Sequence, residues 1–290
     1  MTGRLGLGPA LLFCPADRPE RFSKALERAD AVILDLEDGV TPDERPAARE
    51  ALVAFGRSLA DDPAGGDRLA RTIVRLNAAT SIDFAADLDA LRTTRFRTLM
   101  LAKTESTEQL DALAESLDGV RVIALCETAL GVLTAPELAG HPAVVALMWG
   151  AEDLVVSLGG TSSRLPDGSY RDVAKHARSS VLMAAGAAGV DALDAVHIDL
   201  DDLDALAAEA ADAVASGFTA TACLHPKQVP VVRDAYRPSD ADVARARAVL
   251  EAAQRSGGAF RLDGRMIDEP LIAQARSVLR RAEGIPSDSR

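Results

Sequence analysis

Short, almost continuously apolar runs recur along this chain, separated by longer stretches whose apolar positions repeat at helical spacing. The short runs read as strands: "ALLFCPA", "AVILDLED", "TIVRLN", "TLMLAK", "RVIALCE", "VVALMWG", "LDAVHID" and "TATACLH". Their near-continuous hydrophobicity, without in-and-out alternation, marks strands covered on both faces, as in a parallel sheet. The intervening stretches, such as "RPERFSKALERA" and "DDLDALAAEAADAVASG", are amphipathic, and several carry Asp or Ser near their starts. Eight such units predict an α/β fold closed as a (β/α)8 TIM barrel. An open doubly wound sheet fits the same pattern, but no GxGxxG follows the first strand.

After "TATACLH" the pattern changes. "RPSDADVARARAVLEAAQRSG" predicts a helix started by Ser239 or Asp240, and "GAFRLDGRMIDEP" a short hairpin around Asp263-Gly264. A last helix is expected near Leu271 to Glu283. The barrel domain is therefore expected over 1–236, and 237–290 as a C-terminal lid or subunit contact. The closing "GIPSDSR" is expected to fray.

Composition narrows the partners. The chain has 290 residues, 48% of them hydrophobic, enough for one sizeable core, and aromatics are only 3%, so Ala, Val, Leu and Ile must build it. A formal net charge of −12 argues against nucleic acid or an anionic membrane as the main partner. The N-terminal "MTGRLGLGPALLFCPAD" lacks the long apolar core of a signal peptide, and no apolar run approaches bilayer length. Cys14, Cys126 and Cys223 each sit in a strand-like run, which suits buried free thiols in a reducing cytoplasm.

Barrel enzymes collect their chemistry at the carboxyl ends of the strands. Here those ends deliver Asp35, Glu37 and Asp38; Arg75 and Asn77; Lys103 and Glu105; Glu127; Glu152 and Asp153; and His225. Strand alternation puts Ile73, Arg75 and Asn77 on one face, and likewise Ile123, Leu125 and Glu127. If the apolar members fill the barrel, Arg75 and Glu127 emerge at its open top. Plainer readings stand beside this one. Asp38 and Glu105 suit helix caps, Arg75 with Glu127 suits a buried ion pair, and His225 suits a packed turn histidine. Glu127 and Asp153 differ, because two oxygen donors on consecutive strand ends suit a hard dication that keeps several waters, Mg2+ first and Mn2+ second. The segment "GGTSSRLPDGSYRDVAKHAR" offers Arg164 or Arg171 to a substrate carboxylate, or else is an exposed loop capped into a helix by Ser169.

The motifs "LFCPADRPERFSKAL", "AVILDLEDGVTPDERPAAR", "VRLN", "LAKTES", "ETALGVL", "WGAEDLVVSLGG", "LHPKQVPVV" and "AYRPSDADVARA" occur in order over nearly the whole chain. Together they resemble the citrate lyase β-subunit-like branch of the HpcH/HpaI aldolase superfamily, particularly its stand-alone actinobacterial members, related to malyl-CoA and citramalyl-CoA lyases. The resemblance implies a barrel that assembles as a homotrimer, with Mg2+ held by Glu127 and Asp153. It implies Arg75 beside the oxygens of a keto acid whose carboxylate meets the backbone N–H groups of Gly150, Ala151, Glu152 and Asp153. Arg18 and Lys24 match positions that hold coenzyme A phosphates, and their spacing at one helix start suits an anion. Asp268 matches an acid donated to a neighbouring subunit's site, although capping the last helix would explain it equally. Asp35, Glu37, Asp38, Lys103 and His225 would surround this set.

The implied reaction is Mg2+-dependent cleavage of a 3-hydroxyacyl-CoA into acetyl-CoA and a keto acid. Citramalyl-CoA giving pyruvate, or 3-hydroxy-3-methylglutaryl-CoA giving acetoacetate, leads the expected substrates. Malyl-CoA lyase, thioesterase or malate-synthase-like activity, and an aldolase of free acids, remain alternatives, as does a scaffold that keeps an ancestral site. Arg75 would stabilise the developing alkoxide, and Asp268 would protonate the enolate carbon.

Overall fold

A computed structural model describes residues 4–284. Eight parallel strands form a closed barrel in sequence order: β1 Ala10–Pro15, β2 Ala31–Asp35, β3 Thr72–Leu76, β4 Thr98–Leu101, β5 Arg121–Cys126, β6 Val144–Trp149, β7 Asp191–Asp194 and β8 Ala220–Cys223. Closure comes from β8 pairing with β1, Leu12 opposite Cys223. The barrel interior is filled by Leu11, Ile33, Ile73, Met100, Ile123, Leu125, Met148 and Leu193 with small alanines between them. Alternation then carries Asp35, Arg75 and Glu127 onto the same inward face above Ile33, Ile73 and Leu125.

The boundary of β7 differs from the expected "LDAVHID". The strand begins at Asp191 and ends at Asp194. Its polar ends are buried and used: Asp191 Oδ2 accepts from Leu5 N at 2.8 Å, and Asp194 Oδ1 accepts from Trp149 Nε1 at 2.6 Å. Distant partners, invisible in the local pattern, make two aspartates acceptable inside the strand.

The chain divides into two compact units, Met1–Val231 and Val232–Arg290. In the second, Ser239 caps the helix Asp240–Arg255 in a reciprocal capping box with Asp242. The hairpin follows as β9 Phe260–Leu262 and β10 Arg265–Ile267, turning through Asp263 and Gly264, both at positive φ. The last helix spans Glu269–Gly284 and packs Ile272 and Ala275 against Ala246, Val249 and Ile267. The tail expected to fray, from Ile285 onward, lies outside the described residues. Among the described residues, no helix is long and apolar enough to cross a membrane, and the three cysteines are buried and form no disulfide.

In the barrel unit, the helices Ala129–Leu133, Ala151–Ser157 and Asp172–Ala188 share an apolar groove lined by Val132, Leu133, Leu158, Val173 and Met183. Leu133 and Met183 are 78% and 66% exposed there.

Candidate active site

A cavity of about 350 Å3 opens at the carboxyl end of the barrel, lined by Asp35, Asp38, Gly39, Arg75, Glu127 and the consecutive residues Trp149–Asp153, with Phe13, Leu125, Met148 and Val196 as apolar walls. Of the rim residues expected from the strand ends, Asp35, Asp38, Arg75, Glu127, Glu152 and Asp153 line this cavity, whereas His225 lines another and Asn77 is buried on Asp87 and Leu36 O.

Arg75 does not pair with Glu127; its partners are Asp35 and Glu37. Nε and Nη2 donate to the two Asp35 oxygens at 2.7 and 2.6 Å, and Nη1 lies 2.9 Å from Glu37 Oε2. The fork follows from the sheet register, which sets Asp35 directly opposite Arg75 on the adjacent strand. The face of Phe13 covers the guanidinium at 4.9 Å. Burial alone would ease the proton off Arg75, but Asp35 and Glu37 more than reverse this, so the cation is permanent. Asp35 is further saturated by Glu37 N at 2.9 Å and Gly39 N at 2.8 Å. Gly39 is required by this close approach: a Cβ there would lie 2.4 Å from Asp35 Oδ2. Gly39→Ala is accordingly expected to push Asp35 aside, unseat Arg75, and lower kcat/KM by about 10- to 100-fold, in line with other supporting-shell losses. Steady-state kinetics on the folded variant check it.

Glu127 follows β5 directly and is 3% exposed. Its Oε1 accepts from Lys103 N at 3.0 Å. Gly150 packs onto its other oxygen, where a Cβ would sit 2.9 Å from Oε2. Burial first, and then the Asp153 carboxylate, push Glu127 up to about 8 against the opposing pull of Arg75 and Lys103. Thr128, the next residue, caps the helix Ala129–Leu133 by accepting from Gly131 N at 3.0 Å and donates to Glu105 at 2.7 Å. Glu105 therefore holds that cap and is not one itself; Ser106 is the N-cap of the helix Thr107–Ser116. Asp38 caps nothing either: the following 3-10 turn begins after Thr41, and Asp38 is half-exposed, 3.6 Å from Lys103 Nζ. Lys103 adopts the left-handed conformation, φ +49°. Its ammonium contacts Glu37 and lies 3.3 Å from Asp153.

These residues fit a dication. Glu127 is held above the usual carboxylate range by burial and by the Asp153 carboxylate, and Asp153 is partly exposed. Among the described residues, no three His, Cys, Asp or Glu side chains are arranged to enclose a metal. Glu127 and Asp153 would thus be two ligands of an ion that takes its other oxygens from water and substrate, the habit of Mg2+.

The anion positions are rearranged. Arg18 and Lys24 do not share one helix: a 3-10 turn Pro19–Arg21 precedes the short helix Phe22–Arg28. Arg18 is 55% exposed and lies 3.5 Å from Asp17. Lys24 lines a second cavity of about 380 Å3 together with Arg21, Arg28 and His225. Sequence reasoning missed Arg21 and Arg28; the three- and four-residue spacing of cations around Lys24 was the available signal. His225 sits exposed in the turn after β8, its Nδ1 accepting from Lys227 N at 3.1 Å. In the C-terminal unit Asp268 directly precedes the last helix, and its carbonyl accepts from Ile272 N at 3.0 Å.

The expected substrate arginines are engaged elsewhere. Arg164 pairs with Glu209, 3.2 Å from its Oε2, and stacks on Tyr170 at 3.9 Å. Arg171 donates to Ser162 O at 3.1 Å. Ser169 caps no helix but bonds Asp167 at 2.6 Å, and Arg171 is the N-cap of Asp172–Ala188.

Residues 10–226 match the family model of HpcH/HpaI aldolase/citrate lyase, and residues 169–285 match that of carbon–carbon bond lyases of the TIM-barrel fold. The citrate lyase subunit beta-like protein of Mycobacterium tuberculosis is 53% identical over 275 residues, covering 95% of this chain and 96% of that protein. The crystal structure of protein CitE from M. tuberculosis in complex with magnesium, acetoacetate and coenzyme A superposes with a TM-score of 0.87 at 51% identity, covering 96% of this chain and 99% of that one. A (3S)-malyl-CoA thioesterase of Cereibacter sphaeroides is 32% identical over 281 residues, 95% of each chain.

Proposed function

The chain belongs to the HpcH/HpaI aldolase/citrate lyase family, and we propose that it is a Mg2+-dependent carbon–carbon lyase that cleaves a 3-hydroxyacyl-CoA into acetyl-CoA and a keto acid. The observation that carries this reading is one cavity holding Arg75, the buried Glu127 and the Trp149–Asp153 turn together. Glu127 and Asp153 would hold the ion, whose chemistry when bound is to polarise the substrate hydroxyl. Arg75 has five N–H donors; two serve Asp35 and Nη1 lies against Glu37, which leaves N–H groups able to meet the oxygen on which charge develops. The N–H groups of Gly150 to Asp153 receive the keto-acid carboxylate. Phe13, Leu125, Met148 and Val196 exclude water around the breaking bond, which strengthens each of these charges. The 4'-phosphopantetheine-linked phosphates of the coenzyme meet Arg18 and Lys24, with Arg21 and Arg28 close behind. Asp268, supplied by a neighbouring protomer of a homotrimer, protonates the enolate carbon in cleavage and removes that proton in condensation. The apolar groove with Leu133 and Met183 supports such assembly, and buried cysteines that form no disulfide support a cytoplasmic setting.

Citramalyl-CoA, giving pyruvate, and 3-hydroxy-3-methylglutaryl-CoA, giving acetoacetate, are the leading substrates; acetoacetate is the ligand in the CitE complex. Hydrolysis of a malyl-CoA-like thioester is the second reading, favoured by the likeness to the thioesterase. Incubation with each acyl-CoA, reading free thiol against keto acid, separates them. Lyase action yields keto acid and acetyl-CoA in equal amounts with no free thiol, and EDTA abolishes it. Free thiol in place of keto acid would establish the hydrolase, and EDTA-resistant cleavage would remove the metal from the scheme.

A further inference from the structure

After the short helix Ala151–Ser157 the chain folds back as a hairpin. Arg164 and Tyr170 bridge across it, and Arg171 N donates to Ser163 O at 2.9 Å. Its tip is tied by Asp167, which accepts from Ser169 N at 3.0 Å and from the Ser169 hydroxyl at 2.6 Å. Two side chains of this hairpin reach the cavity wall. Ser163, 2% exposed, donates its hydroxyl to Glu152 Oε1 at 2.6 Å. The Tyr170 ring meets Trp149 edge-on, centroids 5.3 Å apart at 70°.

Trp149 and Glu152 bracket Gly150 and Ala151, which have no side chain able to hold their own peptide planes. We propose that the hairpin is a positioning element for this turn, with Ser163 and Tyr170 aiming the Gly150 and Ala151 N–H groups at the keto-acid carboxylate. The inference rests on the reading above that this turn receives a carboxylate. The anchorage is backed from behind. Trp149 Nε1 donates to Asp194 at 2.6 Å, which Arg178 Nη2 holds at 2.8 Å, and Arg164 clamps Tyr170 through its stack and its pair with Glu209. Displacement of such donors by a fraction of an ångström weakens their hold on a ligand steeply. Arg164 thus acts in the scaffold and does not read the substrate.

The chain's single tryptophan is Trp149, so its time-resolved fluorescence anisotropy reports on the turn directly. Pyruvate or acetoacetate titrated calorimetrically in the presence of Mg2+, with steady-state kinetics, supplies the second readout. Tyr170→Leu should speed the Trp149 anisotropy decay and raise the keto-acid Kd about ten-fold, with coenzyme A affinity unchanged; Tyr170→Phe should preserve both wild-type values. Ser163→Ala should raise the keto-acid Kd about as much without altering Trp149, and Ser163→Thr should restore it. Keto-acid Kd values within about two-fold of wild type in both Tyr170→Leu and Ser163→Ala would overturn the proposal. If wild type binds neither keto acid, the functional reading fails by itself; the hairpin's hold is then decided by anisotropy, and an unchanged decay in Tyr170→Leu overturns it.

Discussion

Replacing Arg75 with lysine is expected to lower kcat by about 10²- to 10³-fold while Mg2+ binding stays within a few-fold of wild type. The guanidinium does two jobs at once. Its Nε–Nη2 edge is locked onto Asp35 at 2.7 and 2.6 Å and Nη1 lies 2.9 Å from Glu37, which fixes the plane of a side chain that lines the cavity. A lysine ammonium can neutralise Asp35 and Glu37 but is a point charge on a flexible stem. It would sit between those carboxylates and present no oriented donor to the reacting oxygen. Lysine is the informative variant because alanine would strand two buried carboxylates, a loss of roughly 3–5 kcal/mol that confuses catalysis with folding. Single-turnover kinetics beside a calorimetric Mg2+ titration make the test; a kcat within about ten-fold of wild type would remove Arg75 from the chemistry.

Glu127→Gln is expected to abolish Mg2+-dependent activity and yet stabilise the metal-free protein. Glu127 titrates near 8 in the folded chain against an ordinary value of 4.5, chiefly because it is buried and secondly because Asp153 repels it. The folded state therefore holds this proton more tightly than the unfolded chain does. Its contribution to stability is full below about 4.5, falls as pH rises, and is lost above about 8. The amide keeps the acceptor that Lys103 N uses but cannot ionise. Between pH 6 and pH 8.5, in EDTA, the melting temperature of the variant should gain on wild type by roughly 5–10 °C. Added Mg2+ should raise the wild-type melting temperature and leave the variant unmoved. Calorimetric scans with and without Mg2+ at both pH values decide it; a variant that still responds to Mg2+ would take Glu127 out of the metal site.

Much of this site was legible along the chain because a barrel strand converts residue order into depth. A polar residue that ends an apolar run on the inward face has one place to go, the open rim. That is why Arg75 and Glu127 could be grouped without coordinates, and why the strand β7, with aspartates at both ends, was misplaced; Asp153 lies instead in the first turn of the helix that follows β6. The partner of Arg75 was not legible. Glu127 is a neighbour by charge, but the stagger between β2 and β3 sets Asp35 opposite Arg75, and register is a property of paired strands, absent from either strand alone.

By itself, the sequence determined seven of the eight covered strands, the capped helix and hairpin of the C-terminal unit, and the presence of carboxylates and an arginine at one rim. Local periodicity and capping chemistry are enough for these, since each depends on residues close in the chain. Only the tertiary structure decided who meets whom: Arg75 with Asp35 and Glu37, Lys103 among three carboxylates, Lys24 with Arg21 and Arg28 in one cavity, and Ser163 and Tyr170 on the residues flanking Gly150. Apart from the Lys24 cluster, whose members lie within one short stretch, those pairings join separate segments, so they are fixed by how the barrel closes and which side chains it buries together.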